Sequence, residues 1–388
     1  MMLRIGRGYG PEFSHTSEGG RMARKFVFPV AILFLAIIST AAAQPIDRVE
    51  IGEFQEHDQI GPSGGSGLFV AVGGMSLLNG QVLSSPDGET WTNRGRISDY
   101  SLEGIAYGFD KNAGKGGFVA VGTDGIYFSL DAIKWKKVAN GGFTSVTYGY
   151  DRLKKKGGFV AVGLDGKIYF SQYGPRWTPR RSGVGKTLRG VVYGFNGRMR
   201  RGVFVAVGDL YSDLHESAIV TSPDGLAWTR QTSPSTLSSL YNIAYGGGKF
   251  VATGDFHGSP QYATNLVSSF GVQWVRSRPL RDECQIDRTI RAITFGNGNF
   301  IAISGCGNVY NSMNGIGWSK SRKVPRSGDE RINGVTYGYD FQSGRGTFIA
   351  VGLKGAVFTC PDGKSRWVRQ NSTTDLNLRA IAFGKVAP

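Results

Sequence analysis

The sequence predicts an all-β fold on three observations. A pentapeptide of the form FVAVG recurs seven times, starting at Phe69, Phe118, Phe159, Phe204, Phe250, Phe300 and Phe348. Before each later copy, and once more at the C-terminal end, stands an apolar segment closing in aromatic-Gly: IAYG at 105, VTYG at 146, VVYG at 191, IAYG at 243, ITFG at 293, VTYG at 335 and IAFG at 381. The seven tryptophans, Trp91, Trp135, Trp177, Trp228, Trp274, Trp318 and Trp367, follow one another at 42 to 51 residues. Glycine supplies 59 of 388 residues, and few long stretches carry a helical period, which favours short strands and tight turns. A period in the forties with four short strands per unit is the pattern of a propeller blade. The prediction is therefore a seven-bladed β-propeller with four-stranded antiparallel blades.

The four strands of a blade read in order as A, the VTYG type; B, FVAVG; C, as in KIYFS; and D, from the Trp onward. A blade is covered on both faces by its neighbours, so strand B needs apolar side chains on both sides and does not alternate. Strand B of blade one starts near Phe69, while RAIAFG at 379–384 is an A strand with no B after it. Pairing this last strand with the N-terminal three closes the ring and removes two open sheet edges.

The domain reading is residues 1–43 as a leader and cleaved signal peptide, 44–66 as an N-terminal extension and 67–388 as the propeller. Arg24 and Lys25 precede an apolar run from Phe26 to Ile38 and the small residues Ala41, Ala42 and Ala43. That order is the pattern of a secretory signal, with the 1–21 stretch read as an upstream misreading of the start or a leader. The run is shorter than the roughly 20 residues a spanning helix needs. The expected location is secreted or periplasmic.

The whole chain carries 45 Lys and Arg against 29 Asp and Glu, and the part after Ala43 stays strongly basic. This balance favours acidic partners: a protein or glycan, an anionic polymer or a membrane surface. Nucleic acid is not favoured outside the cytoplasm, and a high net charge fits a monomer. With three cysteines, Cys284, Cys306 and Cys360, the chain is no disulfide-dense scaffold. No metal or cofactor is called for.

Before most tryptophans stands a turn such as SPDGETW (85–91), SLDAIKW (129–135), SPDGLAW (222–228) or SMNGIGW (312–318). These turns resemble the Asp-box of BNR-type propellers, the group holding sialidases and the photosynthesis-assembly propellers, over essentially residues 66 to 384. The boxes depart from the usual form by one residue fewer between Asp and Trp, and Tyr173 and Phe270 stand where Asp is expected. The sialidase branch of the resemblance implies a ring of three arginines, a Tyr–Glu pair and an Arg-Ile-Pro segment. No Arg-Ile-Pro occurs, sialidases have six blades, and the A strands read as Ile, Val, Ala and Thr with aromatic ends and no inward arginine. The resemblance therefore implies the non-catalytic, seven-bladed, binding type.

Strand direction sorts the loops: D–A and B–C loops share one face, A–B and C–D loops the other. Most B–C turns are minimal, but blades four and five insert longer ones at 207–222 and 253–269. They carry Asp209, Tyr211, Asp213, His215, Glu216, Asp255, Phe256, His257 and Tyr262 as candidate ligand-binding residues, since rigid scaffolds carry function on such loops. The expected role is an exported binding or assembly module that recognises a protein or glycan there. The alternative is a polysaccharide-active enzyme using the carboxylates of the same rim. Cys284 and Cys306 map to one face of blade six and are expected to form a disulfide in an oxidising compartment. On the other face, Lys154, Lys155, Lys156, Arg198, Arg200 and Arg201 form a basic cluster on consecutive A–B loops.

Overall fold

The computed structural model describes residues 65–75, 78–151, 153–236, 238–257, 262–278, 280, 289–340 and 344–386. The signal segment and Cys284 lie outside these residues, as do the side chains of Asp255, Phe256, His257 and Tyr262. The predicted class holds: seven four-stranded antiparallel sheets follow one another along the chain. Blades two to seven run A-B-C-D in sequence order, with A strands Leu102–Asp110, Phe143–Asp151, Leu188–Asn196, Leu240–Gly246, Ile290–Gly296 and Ile332–Asp340. Blade one takes its A strand, Asn377–Val386, from the C-terminal end and pairs it with Ser66–Met75 from Ser66↔Val386 to Gly74↔Asn377. Each A strand packs on the A strand of the next blade, and the seventh on the first.

The B strands form the centre of every sheet, and their Phe-Val-Ala-Val sequence is buried on both faces. Phe69, Phe118, Phe159, Phe250, Phe300 and Phe348 are wholly enclosed and Phe204 nearly so. Burying a side chain of this size contributes about 1.5–3 kcal/mol, repeated around the ring. Each of these phenylalanines sits against the A-strand aromatic of its own blade, as in Tyr193–Phe204 and Tyr337–Phe348, both with centroids 4.7 Å apart.

The glycine after that aromatic has a packing reason. A Cβ built on Gly246 would lie 1.9 Å from Cγ of Phe295 in the following blade, and one on Gly384 would lie 2.3 Å from Cγ of Tyr107. The second contact joins blade one to blade two, so the same interlock runs across the closure.

The turns before the tryptophans work as local hydrogen-bonding units. In blade one, Ser85 Oγ accepts from Gly88 N at 2.7 Å, Asp87 Oδ1 accepts from Glu89 N and Thr90 N at 2.8 and 2.7 Å, and Trp91 Nε1 donates to Gly88 O at 2.8 Å. Blade six repeats this with Asn314 in place of Asp. In blades three and five, where Tyr173 and Phe270 replace the acid, the Ser–Gly bond and the Trp–Gly bond remain. Blade seven has one residue more between Gly363 and Trp367; there the indole is buried and its Nε1 finds no partner among the described residues.

Two outcomes follow from this packing. Gly246→Ala should destabilise by about 2 kcal/mol through forced repacking of Phe295. Gly185→Ala, where nothing lies within 4 Å, should leave the denaturant midpoint close to that of the parent.

Acid should also weaken the fold through the turns. At Asp362, burial would raise the pKa, but N–H donors of Ser365 and Lys364 outweigh it and hold the carboxyl at about 2; Asp87 and Asp131 are lowered in the same way. Because these folded values lie below the unfolded one, the stabilisation is complete above the unfolded pKa of about 3.9 and is lost as pH falls toward the folded values. Thermal unfolding between pH 5 and pH 2 should show Tm falling, and Asp362→Asn should flatten that slope, since Asn314 makes the same bonds without titrating.

Candidate functional site

Every A strand carries a buried apolar residue at its first position, or at its second in blade one: Leu102, Phe143, Leu188, Leu240, Ile290, Ile332 and Leu378. Immediately after it the pairing with strand B slips by one residue. Leu102 pairs with Gly122 and Gly104 with Val121, which leaves Glu103 unpaired, and the other six strands repeat this. The unpaired residues are Glu103, Thr144, Arg189, Tyr241, Arg291, Asn333 and Arg379. A bulge of this kind re-aims one side chain, and here it aims seven at one place. They line a cavity of about 300 Å³ whose walls come from all seven A strands, which puts it on the ring axis. The residue after the bulge is small in six of the seven blades, Asn242 being the exception, because neighbouring A strands converge there: a Cβ on Gly334 would meet Arg379 O at 3.1 Å.

The ring residues are tied between blades. Arg379 of blade one lies 3.3 Å from Glu103 of blade two. Thr144 donates to Leu188 O at 2.5 Å, and Asn333 to Leu378 O at 2.9 Å. The Arg189 guanidinium lies 5.0 Å from the Tyr241 ring centroid, and Asn242 next to that tyrosine donates to Arg291 O at 2.8 Å. The lining thus holds three guanidinium groups and one carboxylate on a fixed frame. At a partly buried site of this kind, attraction for an anion is stronger than at an open surface.

Leu188 pairs with Gly208 and Leu240 with Gly254, so the cavity opens on the face of the B–C loops, where the two insertions stand. Among the predicted residues, Asp209 reaches the ring. A bulge between Val207 and Leu210 displaces it, and its carboxylate takes Nε and NH2 of Arg189, the second at 3.2 Å. Tyr211 packs under Lys186 and Arg230, 5.3 and 4.6 Å from its centroid, and Glu216 pairs with Arg230 at 3.3 Å. Asp213 and His215 are exposed at the hairpin tip. In blade five the backbone continues the hairpin, with Phe256 opposite Ala263 and His257 opposite Tyr262. Among the predicted residues whose side chains are described, Asp209 alone bonds to a lining residue, and none lines the cavity.

The reading of the A strands as free of inward arginine is corrected: Arg189, Arg291 and Arg379 all line the cavity. Core periodicity gave no reason to expect them inside, because the bulge breaks the alternation just where they occur. The missing Arg-Ile-Pro segment and the seven blades remain the grounds against a sialidase. One signal was available in the repeats. Aligned on aromatic-Gly, they read apolar, variable, small (Asn242 in blade five excepted), Ile/Val, and the variable position runs through Glu, Thr, Arg, Tyr, Arg, Asn and Arg.

On the opposite face, Lys154, Lys155 and Lys156 are exposed on the A–B hairpin of blade three, and Arg198, Arg200 and Arg201 on that of blade four. Cys306 is disulfide-bonded, and Cys360 is free and buried, its thiol pKa pushed up by that burial. Among the described residues no helix is long and apolar enough to cross a membrane, and no three His, Cys, Asp or Glu side chains gather as a metal site.

No protein-family model matches the chain, and no curated protein matches its sequence. Solved structures do resemble it in fold. One is "YCF48 bound to D1 peptide", at 16% identity and TM-score 0.50, covering 77% of this chain and 92% of that one. A second is the BP39L lectin of Burkholderia pseudomallei, at 11% identity and TM-score 0.56, covering 82% and 95%. A third is the periplasmic gluconolactonase PpgL of Pseudomonas aeruginosa, at 10% identity and TM-score 0.54, covering 83% and 100%.

The bidentate pair should carry measurable stability: Asp209→Ala should cost about 1 kcal/mol after allowance for its partial exposure. Asp213→Ala at the same hairpin tip should change the urea midpoint by an amount within error.

Proposed function

We propose that the chain is an exported binding module whose channel mouth takes a carboxylate-bearing segment of a protein partner. The observation that carries this reading is the ring itself: three arginines against one glutamate, set by bulges at equivalent positions around a cavity of about 300 Å³. Arginine offers paired donors that match a carboxylate. Arg189 gives its Nε/NH2 edge to Asp209 and keeps the NH1 side uncommitted among the described residues. Asp209, from the blade-four insertion, thereby holds the guanidinium in place for a second anion.

A peptide is favoured over a glycan. Sugar stacking needs open aromatic faces, and Tyr241 and Tyr211 already carry arginine and lysine over their rings. The structural neighbour solved with a bound peptide supports the same preference. Polysaccharide-active chemistry has less support, because Asp209 and Glu216 are each engaged by a guanidinium. The Met22–Ala43 segment supports a secreted or periplasmic location.

The test is fluorescence anisotropy with a labelled hexaglutamate peptide. Arg189→Gln and Arg379→Gln should each weaken binding about tenfold, the scale of one lost charge-assisted bond. Glu103→Gln should tighten it severalfold by removing a competing anion, and raising salt should weaken every form that binds. Equal affinities for the parent and all three variants, each shown to be folded by its Tm, would overturn the reading.

A further inference from the structure

We infer that the face opposite the channel mouth docks on an anionic lipid bilayer through the A–B hairpins of blades three and four. This inference stands apart from the channel reading. It begins with backbone conformation. The last residue of the A–B turn is left-handed in blades two to seven: it is glycine in four of them, Gly114 with φ 61°, Gly248 and Gly298 each with φ 72° and Gly344 with φ 68°, but Lys155 and Arg200, each with φ 50°, in blades three and four. A side chain in that region costs about 1–2 kcal/mol where glycine is tolerated freely. Two neighbouring blades thus hold a cation at a position where local stability favours glycine. The cost falls on the two hairpins that also carry Lys154, Lys156, Arg198 and Arg201. Among the described residues, one acid engages any of the six, Asp151 at 3.9 Å from Lys154.

The same tips expose apolar side chains between the cations. Leu153 is 75% exposed and Met199 54%. A soluble polyanion would use the charges and leave these two in water. A bilayer uses both: cations meet anionic headgroups, and an apolar tip enters the boundary by roughly 5–10 Å. The face is also presented as a unit. A–B hairpins contact the C–D turn of the next blade, as where Asn196 Nδ2 donates to Phe270 O at 2.9 Å and Lys115 Nζ lies 5.5 Å from the Tyr173 ring centroid. Tips fixed to a rigid ring can meet a plane together, and their contributions then add.

The experiment is co-sedimentation of the full chain with phosphatidylglycerol/phosphatidylcholine vesicles and with phosphatidylcholine alone. A charge variant carries Gln at Lys154, Lys156, Arg198 and Arg201, and Asn at Lys155 and Arg200, since asparagine tolerates the left-handed turn. An apolar variant carries Leu153→Ser and Met199→Ser. The parent should bind the anionic vesicles and lose binding as salt rises. The charge variant should lose at least a hundredfold in partition, since each basic residue near such a surface contributes about fivefold. The apolar variant should lose roughly tenfold on vesicles while keeping parental retention on immobilised heparin. Both variants should keep the parental Tm, which reports an intact fold. The leader is common to all forms, so either variant binding anionic vesicles like the parent overturns the inference. A parallel loss by the apolar variant on heparin overturns it too, because the apolar tips would then serve a polymer or the fold.

Discussion

The fold depends on one repeated contact: the glycine that follows the aromatic of each inner strand and the aromatic ring of the following blade that fills the space a side chain would take. At Gly194 a Cβ would stand 2.3 Å from Cδ2 of Tyr245, and at Gly338 it would stand 2.2 Å from Cε1 of Phe69. The second contact joins the seventh blade to the first, so the ring is closed by the same interaction that propagates it. Blades can approach this closely only where backbone meets ring, and the approach brings the inner strands together around an axis. Close packing of this kind resists deformation, which is what a site assembled from seven separate strands requires.

The cavity follows from that convergence together with the seven bulges. Each A strand is anchored by a buried apolar residue, releases one residue from the ladder and then resumes pairing. The released residue points to the axis whatever its chemistry, because the backbone on both sides is held. A repeat built in this way separates stability from recognition: the flanking positions stay apolar or small in all blades but the fifth, where Asn242 bonds to the next blade, and the one between varies without loss of the core. In this chain the variation sums to three arginines, a glutamate, a tyrosine and two neutral hydrogen-bonding residues. The links from Arg379 to Glu103 and from Arg189 to Asp209 and Tyr241 hold the charged groups in place on the frame, and in the proposed role that lowers the ordering cost of binding.

Antiparallel strands of alternating direction give the ring two unlike faces. The ends that carry the bulges also carry the B–C insertions, so Asp209 can reach the axis from outside the lining. The other ends carry the Asx-type turns and the basic hairpins. There the turns tolerate loss of the acid, as blades three and five show, because the serine and the indole each keep a bond to the glycine. Trp367 shows what they do not tolerate: with one additional residue the indole N–H has no acceptor among the described residues.

Blade number, strand order and closure were legible in the chain, since they rest on repeats of local pattern that neighbouring blades must bury: Phe-Val-Ala-Val for a sheet covered twice, aromatic-Gly for the inner contact, a Trp at each outer strand. The face of the long insertions was legible too, as it needs only strand direction. The channel was not. Arg189, Arg291 and Arg379 look like surface residues in the sequence, because a strand read by alternation has no place for a slip of one residue, and the slip exists only once strand A is paired with strand B. Likewise nothing in the spacing of residues 189, 209 and 241 says that they meet. The sequence by itself determined how many sheets there are and how the ends join, because those follow from burial repeated every forty-odd residues. The tertiary structure alone decided which side chains share the axis, because that depends on bulge register and on residues brought together from separate blades.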